Sequence, residues 1–366
     1  MSLLDKAAAN ARILTRRELA TLLEWPDAHE LFAAAYEVKC REIGKRVSLR
    51  GLVEFGNICE KDCFYCGIRK SNTAVRRYRM DKDEIVREAE WAFKAGYGSV
   101  ALQSGELSSE SNTVFVEDVL RRIHAFGGDD FGITISLGEQ AEETYRRWRE
   151  AGAHRYLLRI ETSNPTLYAR LHPADHSWKD RLECLRTLRR CGYQTGSGVM
   201  SGLPGQTTED LAADIEFFAA EDLDMIGMGP YIPHKDTPLG KNTALSPAER
   251  AKRLELGLRM IAATRLHLHD VNIAAATALQ ALDPEGREKG ILAGANVIMP
   301  NVTDIRFRSD YQLYEGKPCL GENPVLCKGC IERRITSIGE TAVLNGRGDS
   351  PRWEKRTSAA KHASIG

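Results

Sequence analysis

Three cysteines, Cys59, Cys63 and Cys66, stand at C-x3-C-x2-C spacing in the loop GNICEKDCFYCGIRKSN. Thiolates are soft ligands that suit iron–sulfur clusters and zinc. Three of them on one short loop can ligate three corners of a cubane and leave the fourth iron open to a ligand from outside the chain. A closed structural zinc site would normally need a fourth protein ligand, and the loop holds no histidine. Zinc and three unligated structural thiols are the alternatives to a cluster. A second group, Cys319, Cys327 and Cys330, has C-x7-C-x2-C spacing and is again short of four ligands. Metal binding is expected there in a structural or relay role, with adventitious binding the alternative. Cys40, Cys184 and Cys191 have no companions at metal spacing and read as small buried side chains.

The elements that must position these groups alternate between strand-like and helical patterns. Strand-like runs fall near 48–56, 99–105, 132–138, 155–161, 194–201, 224–232, 271–278 and 295–300, with amphipathic segments between them. One of these, DKDEIVREAEWAFKAG, has acidic residues in its first turn and Gly96 at its end, as the helix dipole and C-cap favour. Eight strands with seven crossovers predict an α/β fold, a (β/α)8 TIM-type barrel; an open doubly wound sheet could use the same elements. The cysteine loop then lies at the C-terminal ends of the strands, where barrel active sites form. Residues 1–46 read as an N-terminal helical segment, 47–300 as the barrel, 301–345 as a cysteine-containing extension and 346–366 as a polar, flexible tail. Within that tail Arg347, Gly348 and Asp349 spell a cell-adhesion tripeptide, a reading that an intracellular chain disfavours.

A chain of 366 residues, 42% hydrophobic, can bury a large core. Its 51 basic and 51 acidic residues leave no global field for nucleic acid or an anionic membrane. There is no signal-peptide or membrane-spanning run. The expected compartment is the cytoplasm, where nine cysteines serve chemistry sooner than disulfides.

The loop and its place after the first strand resemble those of the radical S-adenosylmethionine (SAM) enzymes. That resemblance implies a [4Fe–4S] cluster on Cys59, Cys63 and Cys66, SAM on its open iron, an external electron donor, and cleavage of SAM to methionine and a 5′-deoxyadenosyl radical. It further implies a SAM site built from Tyr65, Ser104, Gly105, Glu106, Glu161, Arg181, Met200 and Tyr311. Loop packing for Tyr65, an ordinary turn at Ser104–Glu106, a surface salt bridge for Arg181 and core packing for Met200 are the plain alternatives. Within the superfamily the ordered segments RRYRM, LQSGE, ISLGE, RYLLRIETSNP, SGLPGQT, GPYIPHKDTPL, GANVIMPN and YQLYEGKPC resemble the HydE family of [FeFe]-hydrogenase maturases, related to biotin synthase and methylornithine synthase.

For that family the implied substrate is a small anionic iron–cysteine complex bearing carbonyl and cyanide, with the HydG and HydF maturases as partners. Thr134, Arg155, Arg159, Thr277 and Tyr314 are the implied substrate pocket. Arg155 and Arg159 are four residues apart on one strand, so alternation sends both to one face; a salt-bridge network closing the barrel floor is the alternative. The second cysteine group resembles an accessory [2Fe–2S] or [4Fe–4S] site. Two positions depart from the family pattern: Ile160 stands where a histidine is expected and Ala276 where a threonine is expected. His234 reads as a loop-ordering histidine. Competing readings are another radical SAM enzyme, such as methylornithine synthase or biotin synthase, and a non-catalytic iron–sulfur scaffold or carrier.

Overall fold

Alternating apolar runs become parallel strands, nine in one sheet and two, β6 and β8, in a second: β1 (Arg46–Gly56), β2 (Ser99–Ser104), β3 (Gly132–Ser136), β4 (Arg155–Leu157), β5 (Gln194–Ser197), β6 (Met200–Ser201), β7 (Met225–Ile226), β8 (Gly229–Pro230), β9 (Asn272–Ile273), β10 (Val297–Ile298) and β11 (Thr341–Val343), among the described residues. These come from a computed structural model that describes residues 2–322 and 324–363. The order is β10-β1-β2-β3-β4-β5-β7-β9, every pair parallel, with β11 added beside β1 and β6 paired to β8 as a short second layer. A bridge between Ala274 and Val297, with the Asn296 amide donating to the Ile273 carbonyl at 2.9 Å, joins the last strand back to the first. The expected eight-stranded barrel is the fold found. Its ladder-paired stretches are shorter than the apolar runs predict, two or three residues in β4, β7, β9 and β10.

Helices cover the outside, and their ends are written locally. Lys82–Lys94 starts at a capping box in which Asp81 accepts from the Glu84 amide at 2.7 Å and Glu84 accepts from the Asp81 amide at 2.9 Å. It buries Ile85, Ala89 and Ala92. It stops at Gly96, whose φ of +79° is open to glycine at little cost. Leu3–Ala9, Arg16–Leu23 and Ala28–Glu42 pack against the long helix Pro247–Leu268, and a fully buried Lys39–Glu340 ion pair ties them to the chain just before β11. Among the described residues no helix is long and apolar enough to cross a membrane.

The tail departs from expectation. Pro351–Ala363 is a helix, and residues 347–350 are drawn into the N-terminal end of the barrel. Arg155 donates to the Arg347 carbonyl and to Asp349 Oδ1, each at 2.5 Å; Arg50 and Asn272 donate to the Gly348 carbonyl; Gln194 donates to Asp349. Outside, Arg352 and Arg356 pair with Asp222, and Arg356 reaches the buried Asp224 at 2.6 Å. The polarity that suggests fraying is instead the complement of a polar barrel floor.

Candidate active site

The cysteine loop leaves β1 and is pinned from three directions. The Phe64 amide donates to the Leu171 carbonyl (2.9 Å), the Leu239 amide to the Phe64 carbonyl (3.0 Å) and the Gly67 amide to the Leu313 carbonyl (3.0 Å). Its own Asp62 accepts from the Ser71 amide and hydroxyl and pairs with Arg69 at 2.6 Å, folding the loop back on itself. Cys59, Cys63 and Cys66 are free thiols, partly buried. Burial pushes all three upward, Cys63 to about 12, and the three sulfurs are close enough to act on one another.

Gly105 ends the strand that faces this loop. A Cβ there would sit 2.2 Å from the Ile58 carbonyl and 2.9 Å from Cys59 Cβ, so the two backbones can approach only with glycine. The next amide, of Glu106, donates to Cys59 Sγ at 3.4 Å, and Ser104 donates to the Gly105 carbonyl at 2.7 Å. A charge network surrounds them. Lys61 pairs with Glu139 at 2.7 Å and Glu106 at 3.4 Å; Arg181 pairs with Glu139 at 2.9 Å and donates to the Tyr168 hydroxyl and the Arg159 carbonyl. Burial raises the Glu106 carboxyl, whereas in Glu139 the same burial is outweighed by Arg181 and Lys61, which hold it low.

On the far side of the loop Tyr65 packs with Met200, Leu167, Leu171, Leu203 and Tyr231 and meets His172 edge to face at 5.5 Å. Glu161 holds φ at +66°, and its main chain is locked to Gly198 and Met200. That conformation is costly for a non-glycine residue. Arg159 lies 3.0 Å from Glu161 Oε2 and donates to the Val199 carbonyl at 2.9 Å. Arg159 Nε, Thr134 Oγ1, Ser201 Oγ and Tyr231 Oη are buried without a hydrogen-bond partner, and Glu161 Oε2 has its ion pair with Arg159. Buried polar atoms are normally satisfied; the floor leaves some open too, among them Arg50 Nε and Arg155 Nε, and what sets this group apart is that Glu161 lies in the surroundings of Cys63 and Cys66. Tyr311 is fully buried, with Cys66 and Glu54 in its surroundings. Tyr314 packs on Ile232, Ala278 and Leu282. Thr277 opens the helix Thr277–Leu282, and Ala276 before it gives no side-chain cap.

Arg155 does not join Arg159. Both side chains belong to one face of the strand, but four residues of strand span about 13 Å, and Arg155 is spent on the floor with Asp349. Alternation fixes face and not depth, and the salt-bridge alternative is what forms. Sequence reasoning also passed over Lys61 and Glu139, although both lie inside segments already singled out, between Cys59 and Cys63 and at the end of ISLGE. It missed Glu54 as well, which is buried against Lys317 at 2.5 Å and Asn301 at 2.9 Å and ties the C-terminal extension to β1.

In that extension Cys327 and Cys330 are one turn apart on Pro324–Ser337, and Cys319, at φ +63°, brings its thiol into hydrogen-bond contact with Cys327. Arg308 braces the turn by donating to the carbonyls of Cys319 and Glu322, both at 2.9 Å. His234 orders its own loop, accepting from the Asp236 amide at 3.2 Å.

Among the described residues no three Cys, His, Asp or Glu side chains converge on a single-ion position. A cubane spreads its ligated irons over separate corners, so its thiolates surround a volume and need not meet at a point. Three free thiols on one loop, without a fourth cysteine, fit that group, and the close approach at Gly105 leaves backbone beside it.

The sequence profile of the Radical SAM superfamily matches residues 53–218. The chain is 45% identical to the [FeFe] hydrogenase maturase subunit HydE of Thermotoga maritima over 84% of its own length and 85% of that protein. It is 28% identical to 3-methylornithine synthase of Methanosarcina acetivorans over 77% of each. The crystal structure of methylornithine synthase (PylB) superposes with a TM-score of 0.77 at 25% identity, covering 94% of this chain and 98% of that one.

Proposed function

The chain belongs to the radical SAM superfamily and, within it, to the HydE family of hydrogenase maturases; from that premise we propose that it acts on the sulfur of a small anionic iron–cysteine complex during assembly of the [FeFe]-hydrogenase cofactor. The observation that carries the reading is the pairing of three free thiols on one loop with the Arg159–Glu161 ion pair and the buried, unsatisfied Arg159 Nε and Thr134 Oγ1.

Bound to Cys59, Cys63 and Cys66, a [4Fe–4S] cluster with SAM supplies one-electron cleavage of the sulfonium to methionine and a 5′-deoxyadenosyl radical. The protein's own residues position and shield. Tyr65 and Met200 offer an apolar wall for the adenosine, and the Gly105–Glu106 backbone lies against the cysteine loop. Arg181 is the cation for a carboxylate, held in place by Glu139 and Tyr168. Glu161, whose buried Oε2 is paired with Arg159, accepts a cofactor hydroxyl or ammonium. Arg159, with a free Nε, and Thr134 receive the anionic substrate together with Thr277 and Tyr314. Tyr311 backs the cluster beside Cys66. The complex, bearing carbonyl and cyanide, comes from HydG and its product passes to HydF; an external donor reduces the cluster. Cys319, Cys327 and Cys330 hold an accessory cluster without a step in turnover.

The test is anaerobic reconstitution with iron and sulfide, reduction with dithionite, addition of SAM and assay of 5′-deoxyadenosine, for the wild type and Cys63→Ala. Formation that disappears in the variant supports the reading. A loaded cluster indifferent to SAM would overturn it in favour of an iron–sulfur scaffold. Supply of the HydG-derived complex then tests the substrate: its consumption must depend on SAM.

A further inference from the structure

Arg77 makes no ordinary surface contact. Its Nη1 donates to the carbonyls of Asn57 (2.6 Å) and Ile68 (2.7 Å), and its Nη2 to those of Arg69 (2.5 Å), Asn72 (2.9 Å) and Lys70 (3.3 Å). Asn57 precedes the three cysteines and the other four residues follow them, so one planar group closes the neck of the loop. The Asn57 side chain fastens the same strip, donating to the carbonyls of Arg76 and Asp310 and accepting from the Tyr78 amide. The flanking Arg69 and Arg76 pair with Asp62 and Asp310, whereas among the described residues Arg77 has no carboxylate partner. Its charge is therefore not neutralised by a carboxylate, and two of the carbonyls that it holds, those of Asn57 and Ile68, stand two residues outside Cys59 and Cys66.

We propose that Arg77 is a positioning residue for the cluster: its guanidinium sets the distance between the two ends of the cysteine loop and places a fixed positive charge at the neck of that loop. This rests on the cluster reading above. A lysine keeps the charge but not the fork, since one ammonium cannot span acceptors on both sides of the neck. A nearby cation favours the more negative, reduced cluster, so its removal lowers the reduction potential.

The experiment compares the full-length protein with Arg77→Lys, Arg77→Met and, as a neighbour control, Arg76→Met, all reconstituted anaerobically. Two quantities are read: iron lost to a chelator over time, and the cluster potential from an EPR-monitored titration. Both Arg77 variants are expected to lose iron about tenfold faster or more, the usual scale for a group that orients metal ligands. Only Arg77→Met is expected to titrate at a lower potential, and Arg76→Met is expected to match the wild type in both. Wild-type iron retention in Arg77→Lys would overturn the grip, and an unshifted potential in Arg77→Met would overturn the charge. Equal effects from Arg76→Met would overturn the assignment to Arg77. A wild type that takes up no cluster would instead overturn the function proposed above, independently of Arg77.

Discussion

The two ends of the barrel are built from the same strands and treat charge in opposite ways. At the N-terminal floor, Arg50, Arg155, Gln194 and Asn272 are engaged by the chain's own residues 347–350, backbone carbonyls and one carboxylate filling the space. At the C-terminal mouth, Arg159 and Glu161 face each other at 3.0 Å with buried atoms still unbonded, and Glu161 is held at a positive φ. Both ends leave some buried atoms unbonded, Arg50 Nε, Arg155 Nε and Arg155 Nη1 at the floor among them; what differs is that the floor is filled by the chain's own residues 347–350, while the mouth carries the positive φ of Glu161, a cost that strained sites commonly have.

Breaking the floor is expected to have the largest effect. Arg155→Ala leaves Asp349 in a mostly buried place without its main partner and is expected to cost about 4 kcal/mol, the range for halving a buried ion pair; chemical denaturation of the metal-free protein measures it. A loss under about 1 kcal/mol would mean that the floor is no more structural than a surface pair.

Asp349→Asn is expected to cost about 2 kcal/mol at pH 7, because hydrogen bonds to a charged group are exchanged for neutral ones. Burial raises this carboxyl, but His154 and Arg155 outweigh burial and hold it below the ordinary value of 3.8. The sign follows from linkage: the contribution is complete above about pH 4 and is lost as pH falls through the lower, folded value. The gap between wild type and variant should narrow under acid, and denaturation at pH 7 and pH 3 would show a constant gap if the ionisation were irrelevant.

At the mouth the effects move from stability to chemistry. Arg159→Ala is expected to raise the substrate KM about tenfold, the worth of one charged contact, with little change in the denaturation midpoint. A stability loss as large as that of Arg155→Ala would erase the distinction between the two ends. Smallest is Glu161→Gly, expected to gain up to about 1 kcal/mol by relieving the positive φ while weakening SAM binding. A destabilised variant with intact affinity would reverse its assignment.

Strands, crossovers and the cysteine loop were legible because they are local: periodicity, capping residues and C-x3-C-x2-C spacing sit within a few residues of one another. Tyr65, Gly105 and Glu106 could be placed from their position after a strand. Depth along the barrel could not be read, which is why Arg155 and Arg159 seemed a pair. Nor could the mate of Arg155, since Asp349 lies far along the chain, in a segment whose composition resembles a loose end. The φ of Glu161 and the five-carbonyl grip of Arg77 are properties of backbone path, which residue type alone does not encode.

The segment 347–350 also carries a consequence for how the molecule is made. Domains generally begin folding from the N-terminal side during synthesis, yet the eight strands leave the ribosome well before the residues that fill their lower end. Until residues 347–350 emerge, Arg50 and Arg155 border an unfilled polar hollow in a nascent barrel. Completion of the fold thus waits until residue 350 has emerged, and a fusion joined directly after this stretch would load the step by which the barrel is finished.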